Sequence, residues 1–286
     1  MNVQLSPLFR KKWFILDQSV TGLGMNPMQS FAIDDTLCRR VSNEPDWGIA
    51  RTWVHSKTVV LGIQDSRLPY IDDGISFLKR SGYDVIVRNS GGLAVVLDEQ
   101  VLNISLLFQD GKEMSIDRGY ELMVELVRLL LGSLGKLVMD GEVKESYCPG
   151  RYDLSIKGKK FAGISQRRLR GGVAVQIYLA VSGSGSDRAR LVKHFYDSAV
   201  QGAPTKYEYP QIIPAKMASL DELSQEYAGG QVDIDLSIQG IIHSLLLKLS
   251  SLSDQLDTFA LSEEDWESYE ENLARMVKRN EKIVMV

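Results

Sequence analysis

Of the two cysteines in this 286-residue chain, one sits where a thiol could react. Cys148 lies in Ser146-Tyr-Cys-Pro-Gly150, a turn-rich stretch that would leave its sulfur accessible. A cysteine in such a place serves as a nucleophile when a cation or base favours the thiolate, which is the reactive form. Cys38 instead shares helical spacing with Met28, Phe31, Ala32 and Leu37 and reads as packing. Lys160 follows in Gly158-Lys-Lys-Phe-Ala-Gly163. A strand lysine is ordinarily a solvated charge, but one drawn into a pocket can shuttle a proton. Neighbouring strand residues point to opposite faces, so only one of Lys159 and Lys160 can face inward.

A second segment could cradle a ligand. Arg88-Asn-Ser-Gly-Gly-Leu-Ala-Val95 comes between two strands, where Ser90, Gly91 and Gly92 let a ligand approach the backbone and Arg88 adds charge. It is neither a P-loop nor a dinucleotide fingerprint, so no nucleotide cofactor is implied. His55, His194 and His243 have no metal-ligand spacing, and His243, on an apolar helix, is expected in the core. No metal is expected. Arg167-Arg-Leu-Arg170 is either a solvated face or a docking patch for an acidic protein, with Arg168 and Arg170 on one side of a strand.

These residues must be positioned by mixed elements. Pro27 opens a first helix, and Val59–Leu61, Asp84–Val87 and Ala94–Leu97 read as strands. Leu102 to Phe108 alternates apolar and polar residues, the period of a half-buried strand. A leucine-rich helix spans Ile116 to Leu134, and extended segments cover Tyr152–Ile156, Lys160–Arg168 and Val173–Val181. Ser182–Ser186 reads as a flexible loop before a short helix, Asp187–Tyr196. Asp235–Leu249 is apolar on most sides and should be buried, and Ser262-Glu-Glu-Asp265 caps a last helix. The expected fold class is α+β, a mixed sheet flanked by helices. Residues 1–43 form an N-terminal segment and first helix, 44–249 a catalytic domain, and 250–286 a helical tail packed on that domain.

Composition excludes several classes. Lys and Arg total 33 against 37 Asp and Glu, a net charge of −4, so no global basic field suggests nucleic acid. Two cysteines make no disulfide framework and read as free thiols in the cytoplasm. Trp13–Leu16 is too short for the apolar region of a signal peptide, and no run approaches the ~20 residues of a membrane span.

Together the segments resemble the lipoate and biotin protein ligase superfamily, roughly from Met28 to Leu249. The resemblance rests on Arg88, Ser90, Gly91, Gly92, Ala94, Val95, Asp98, Leu102 and Asn103, on Trp53 with Val59–Gln64, and on Lys160 and Gly163 in a lysine-x-x-glycine stretch. Val87, Leu93 and Leu97 depart from the ligase pattern, which favours an acyltransferase on the same fold. Cys148 precedes Lys160, an order similar to octanoyltransferases with a relocated nucleophile, and Ser146–Arg168 looks most like their amidotransferase group.

That resemblance implies an enzyme of protein lipoylation without cofactor or metal. It would take octanoate from octanoyl-lysine of the glycine cleavage H protein and pass it to lipoyl domains of 2-oxoacid dehydrogenase E2 subunits. Cys148 would carry the acyl group as a thioester, and neutral Lys160 would accept the thiol proton and return it to the leaving amine. Arg88, Ser90, Gly91, Gly92, Gly163, Ile164 and Ser165 would bind the acyl chain, and Arg168 and Arg170 would dock the partners. Three alternatives stay open: acyl carrier protein as donor, an ATP-dependent ligase, and a non-catalytic module that holds acyl carriers.

Overall fold

A computed structural model describes residues 6–229 and 231–284; the first five residues of the N-terminal segment, and 285–286 of the tail, lie outside them. In chain order the elements begin with β1 (Arg10–Gln18), α1 (Pro27–Val41), β2 (Trp47–Trp53), β3 (Thr58–Leu61), α2 (Ile71–Arg80), β4 (Asp84–Val87) and β5 (Val95–Leu97). Next come β6 (Val101–Gln109), α3 (Ile116–Leu130), α4 (Gly132–Gly135), β7 (Met139–Asp140), β8 (Leu154–Ile156), β9 (Lys159–Leu169) and β10 (Gly172–Ala180). The chain closes with α5 (Gly185–Val200), α6 (Leu220–Ala228), α7 (Ile238–Ser251), β11 (Ser253–Thr258) and α8 (Glu263–Val284). The fold is α+β. A large mixed sheet runs β11-β1-β2-β6-β10-β9-β8-β7, and a small one runs β4-β3-β5. Among the described residues, no helix is long and apolar enough to cross a membrane.

The central strands of the large sheet, β2, β6 and β10, are buried on both faces, and this changes the reading of β6. Its alternation is real: Leu102, Ile104, Leu106 and Phe108 join one apolar cluster with α3 and α7. The polar side, Asn103 and Ser105, is not solvated. It faces α1, where Ser105 Oγ donates to Asp34 Oδ2 at 2.7 Å, and Asn103 Nδ2 donates to Trp53 O of the neighbouring β2 at 3.2 Å. A helix that carries its own carboxylate can cover a polar strand face, so period two did not mean half-buried.

Other differences have similar causes. Ser184 caps α5 by accepting from Asp187 N, so the helix starts inside the serine-glycine stretch and runs on to Val200. His243 is exposed, not in the core, because α7 buries only the stripe Ile241, Ile242, Leu245 and Leu249. Trp13–Leu16 belongs to strand β1, which pairs in parallel with β2 and β11. Strand β11, Ser-Asp-Gln-Leu-Asp-Thr, has no apolar pattern. Its backbone partner β1 makes it a strand, and so the tail is not purely helical. Strands β2 and β3, around Trp53 and Val59, lie in different sheets.

Helix α8 packs along α1 and reaches the edge of β4. There Asn280, fully buried, accepts from Val87 N at 2.6 Å and donates to Val87 O at 3.1 Å. The strand leading into Arg88 is thus held by a side chain from the far end of the sequence.

Below the sheet's polar face, His55 bonds Ser30 Oγ at 3.0 Å and Gly22 O at 2.9 Å. Burial pushes its pKa down to about 4, against the pull of the Gly22 carbonyl. A histidine depressed in the folded state contributes stability that is present above its unfolded value near 6.5 and is lost as pH falls toward 4. The shift corresponds to roughly 3 kcal/mol. Urea titrations between pH 7 and 4 are expected to show this His55 contribution being lost through the window, against the opposite drift from Asp65, whose pKa burial raises to about 6. Replacement by Gln should flatten the slope, and an unchanged slope would assign it to other groups.

Candidate active site

The loop between β7 and β8 carries Cys148 in a left-handed backbone conformation, φ 46°, with Glu145 at 63°. Non-glycine residues hold such angles only when their surroundings impose them. Asp153 and Lys160 are those surroundings. The Asp153 carboxylate accepts from Val143 N at 3.2 Å and Gly150 N at 3.1 Å, and pairs with Lys160 Nζ at 2.8 Å. The fully buried Lys160 ammonium also donates to Tyr147 O at 3.0 Å and Cys148 O at 2.7 Å. Burial raises the Asp153 pKa, and the Lys160 charge opposes the rise. Lys159, on the other strand face, pairs at the surface with Glu226 at 2.6 Å.

Three acceptors surround Lys160 Nζ, the Asp153 carboxylate and the Tyr147 and Cys148 carbonyls, and no hydrogen bond joins it to Cys148 Sγ. Through these contacts Lys160 holds the Cys148 loop from behind.

The sulfur has two donors of its own. Leu93 N points to Sγ at 3.1 Å, and Arg88 Nη2 lies 3.6 Å away while donating to Leu93 O at 2.7 Å. Both are hydrogen-bond donors directed at the sulfur. Gly92 makes room for them: at φ 102°, a Cβ there would stand 2.2 Å from Arg88 Nη2 and 3.1 Å from the sulfur. Strand β4 and the β4–β5 loop thus supply the side of the site facing Cys148.

From the sulfur a cavity of about 290 Å³ runs inward between the two sheets. Phe31, Trp53, Val60, Val95 and Leu97 give it an apolar interior. Arg88, Ser90, Gly91, Gly92, Gly163, Ile164 and Ser165 all line it with Cys148, so the segments singled out in the sequence converge on one space. Lys160 does not line it. Sequence reasoning missed Asp153, Tyr120, Tyr178 and Gln176. Gln176 had left a signal, a polar residue between Val175 and Ile177 in the most apolar strand. Its amide donates to Asp34 at 2.6 Å, and Asp34 pairs with Arg51 at 2.9 Å, both fully buried.

The arginine run does not form one patch. Arg167 binds Asp35 through Nε at 2.8 Å, and Asp35 also accepts from Asn89 at 2.8 Å, which ties β9 to the β4–β5 loop. Arg168 pairs with Asp110 and donates to Ser115 O at 2.9 Å. Arg170 lies beyond the strand end in the β9–β10 turn, φ 52°, exposed beside Arg39, Arg40 and Glu264. The expected shared face of Arg168 and Arg170 is lost because β9 ends at Leu169.

An apolar cavity that ends at a thiol is the arrangement of an acyl-transfer enzyme, the class this fold and site define. Residues 26–247 match the lipoyl protein ligase A/B catalytic domain, and the chain belongs to that family. Within it, the chain is similar to proteins named octanoyl-GcvH:protein N-octanoyltransferase. The Geobacillus kaustophilus protein is 52% identical over 275 residues, covering 96% of this chain and 94% of that one. The Staphylococcus aureus protein is 45% identical over 273 residues, covering 95% and 94%. The fold is shared with a lipoate-protein ligase A structure bound with ATP, at TM-score 0.65, 18% identity and coverage of 93% and 95%. A putative lipoate protein ligase from T. acidophilum with bound lipoic acid has TM-score 0.62, 18% identity and the same coverage. The chain is an acyltransferase of this family.

Proposed function

We propose that this enzyme moves an octanoyl group from octanoyl-lysine of GcvH, the glycine cleavage H protein, to the lysine of E2 lipoyl domains through a thioester on Cys148. The names of the relatives support the donor and the reaction. The observation that carries the covalent step is the sulfur itself, held by Leu93 N and Arg88 at the mouth of an apolar cavity. Burial of each CH₂ is worth roughly 0.8 kcal/mol, so the acyl chain anchors the substrate with its carbonyl beside the sulfur.

The thiolate adds to the amide carbonyl and forms the Sγ–C bond. The C–N bond then breaks, and the amine departs with a proton. Cys148, Pro149 and Gly150 are partly exposed, so the thiol proton is released and the amine protonated at the open mouth. The acceptor lysine reverses these events. Donor and product are both amides of lysine, so transfer needs no energy input. The apolar interior keeps water from the thioester.

A donor comparison tests the proposal. Octanoyl-GcvH is expected to give an octanoyl adduct on Cys148, seen by intact-protein mass spectrometry, and octanoyl transfer to an added lipoyl domain. An adduct from octanoyl-acyl carrier protein with none from octanoyl-GcvH would replace the proposed donor. Adenylate formation from free octanoate and ATP would return the enzyme to the ligases.

A further inference from the structure

Tyr178 stands on β10 opposite Gly163 of β9 and forms part of the cavity wall. Its ring occupies the space a side chain at Gly163 would need: a Cβ there would lie 2.7 Å from the ring edge and 3.4 Å from the hydroxyl. Tyr178 is 6% exposed, and its buried hydroxyl makes no well-formed hydrogen bond; its polar neighbour is the Tyr147 hydroxyl, toward which it is a poorly aligned donor. The fully buried Tyr147, next to Cys148 in the chain, lies nearly parallel at 5.9 Å, and its hydroxyl is likewise without a well-formed hydrogen bond.

Most other polar groups of the cavity are engaged. Gln176 donates to Asp34, Ser165 to Gln176, Asn103 to Trp53 O, and Arg88 to Leu93 O and the sulfur. Ser90 Oγ and Arg88 Nε also lack partners, but Ser90 lies on the partly exposed β4–β5 loop and the Arg88 guanidinium is already committed through Nη2 to Leu93 O and the sulfur. Leaving a buried hydroxyl unpaired costs about 1–3 kcal/mol. An unpaired donor in a reaction cavity is a group that a bound substrate can satisfy.

We propose that Tyr178 is a further catalytic residue, whose O–H donates a hydrogen bond to the acyl oxygen as Cys148 attacks. The inference rests on the thioester reading. As the Sγ–C bond forms, the carbonyl π pair moves onto oxygen and meets the phenol hydrogen. When that pair returns, the C–N bond breaks and the phenol keeps its proton. Burial holds the Tyr178 pKa well above the ordinary value, so the group donates a hydrogen bond without acting as an acid. With no Cβ at Gly163, the acyl oxygen can come close to the hydroxyl. A donor fixed in a dry site is worth more than the same donor in water.

Tyr178→Phe keeps the ring across Gly163 and removes the donor. Thioester formation from octanoyl-GcvH is expected to fall roughly 100- to 1000-fold. The activated ester p-nitrophenyl octanoate should show a similar loss, because its attack also develops an oxyanion. Alkylation of Cys148 by iodoacetamide should be unchanged, since attack at a saturated carbon develops none. An undiminished rate with both acyl donors would overturn the assignment. So would a parallel loss of alkylation, which would mark a structural role, or full recovery with the activated ester, which would mark leaving-group protonation. A wild-type enzyme that forms no acyl adduct would overturn the thioester reading, and the Tyr178 role with it.

Discussion

Cys148→Ala is expected to abolish octanoyl transfer, a loss of roughly 10⁴-fold or more, while the folded state keeps its stability. The thiol is partly exposed on a loop and packs only at the margin of one core cluster, whose fully buried members do not include it. Intact-protein mass spectrometry should find no octanoyl adduct after mixing with octanoyl-GcvH, and thermal melts should overlay those of the wild type. Cys148→Gly sharpens the test. Its left-handed backbone, φ 46°, costs a non-glycine residue about 1–2 kcal/mol, partly offset by the greater freedom of glycine in the unfolded chain. The Gly variant should therefore melt slightly higher while remaining inactive. Near-normal turnover of either variant would end the covalent mechanism.

Lys160→Met should be the most damaging change to stability near the site. It leaves the Asp153 carboxylate buried without its counter-charge, together with two loop carbonyls that lose their donor. Breaking a buried pair from one side costs about 3–5 kcal/mol. At roughly 2–4 °C per kcal/mol for a protein of this size, the melting temperature should fall by on the order of 10 °C. Adding Asp153→Asn should restore part of the loss, because a neutral amide needs no cation. Activity should fall because Tyr147 and Cys148 lose their anchor, and raising the pH should not recover it. If Lys160→Met melts like the wild type and its thioester formation recovers at alkaline pH, the lysine is the proton acceptor after all and not a clamp.

Much of the fold was legible in residue patterns. The Pro27 helix, the strands around Val59, Asp84 and Val173, and the Ser262–Asp265 cap all stand where period and capping chemistry put them. Strand β11 and the polar side of β6 were not legible as they are. The first is a strand because β1 offers an unpaired backbone edge, and the second is dry because α1 covers it. The length of α5 was misread for a local reason, since a serine-glycine stretch serves equally as a loop and as a helix start.

By itself, the sequence determined the enzyme class, and it singled out Cys148 and the segments that line the cavity, because each is carried by residue types in short contiguous stretches. Cys148 on its turn, the glycines after Arg88 and Gly163 after Lys160 mean much the same before and after folding. Tertiary structure alone decided what each charged or polar group does, because that depends on which partner lies within about 3 Å. It set Asp153 and two loop carbonyls around Lys160 Nζ, contacts that tie the lysine to the Cys148 loop. It split the arginine run by ending β9 at Leu169, and it left the Tyr178 hydroxyl unpaired beside the acyl cavity. Asp35 and Asp110 reach these arginines from distant parts of the chain, so no local pattern could announce those pairs, whereas Asp153 meets Lys160 across a single hairpin.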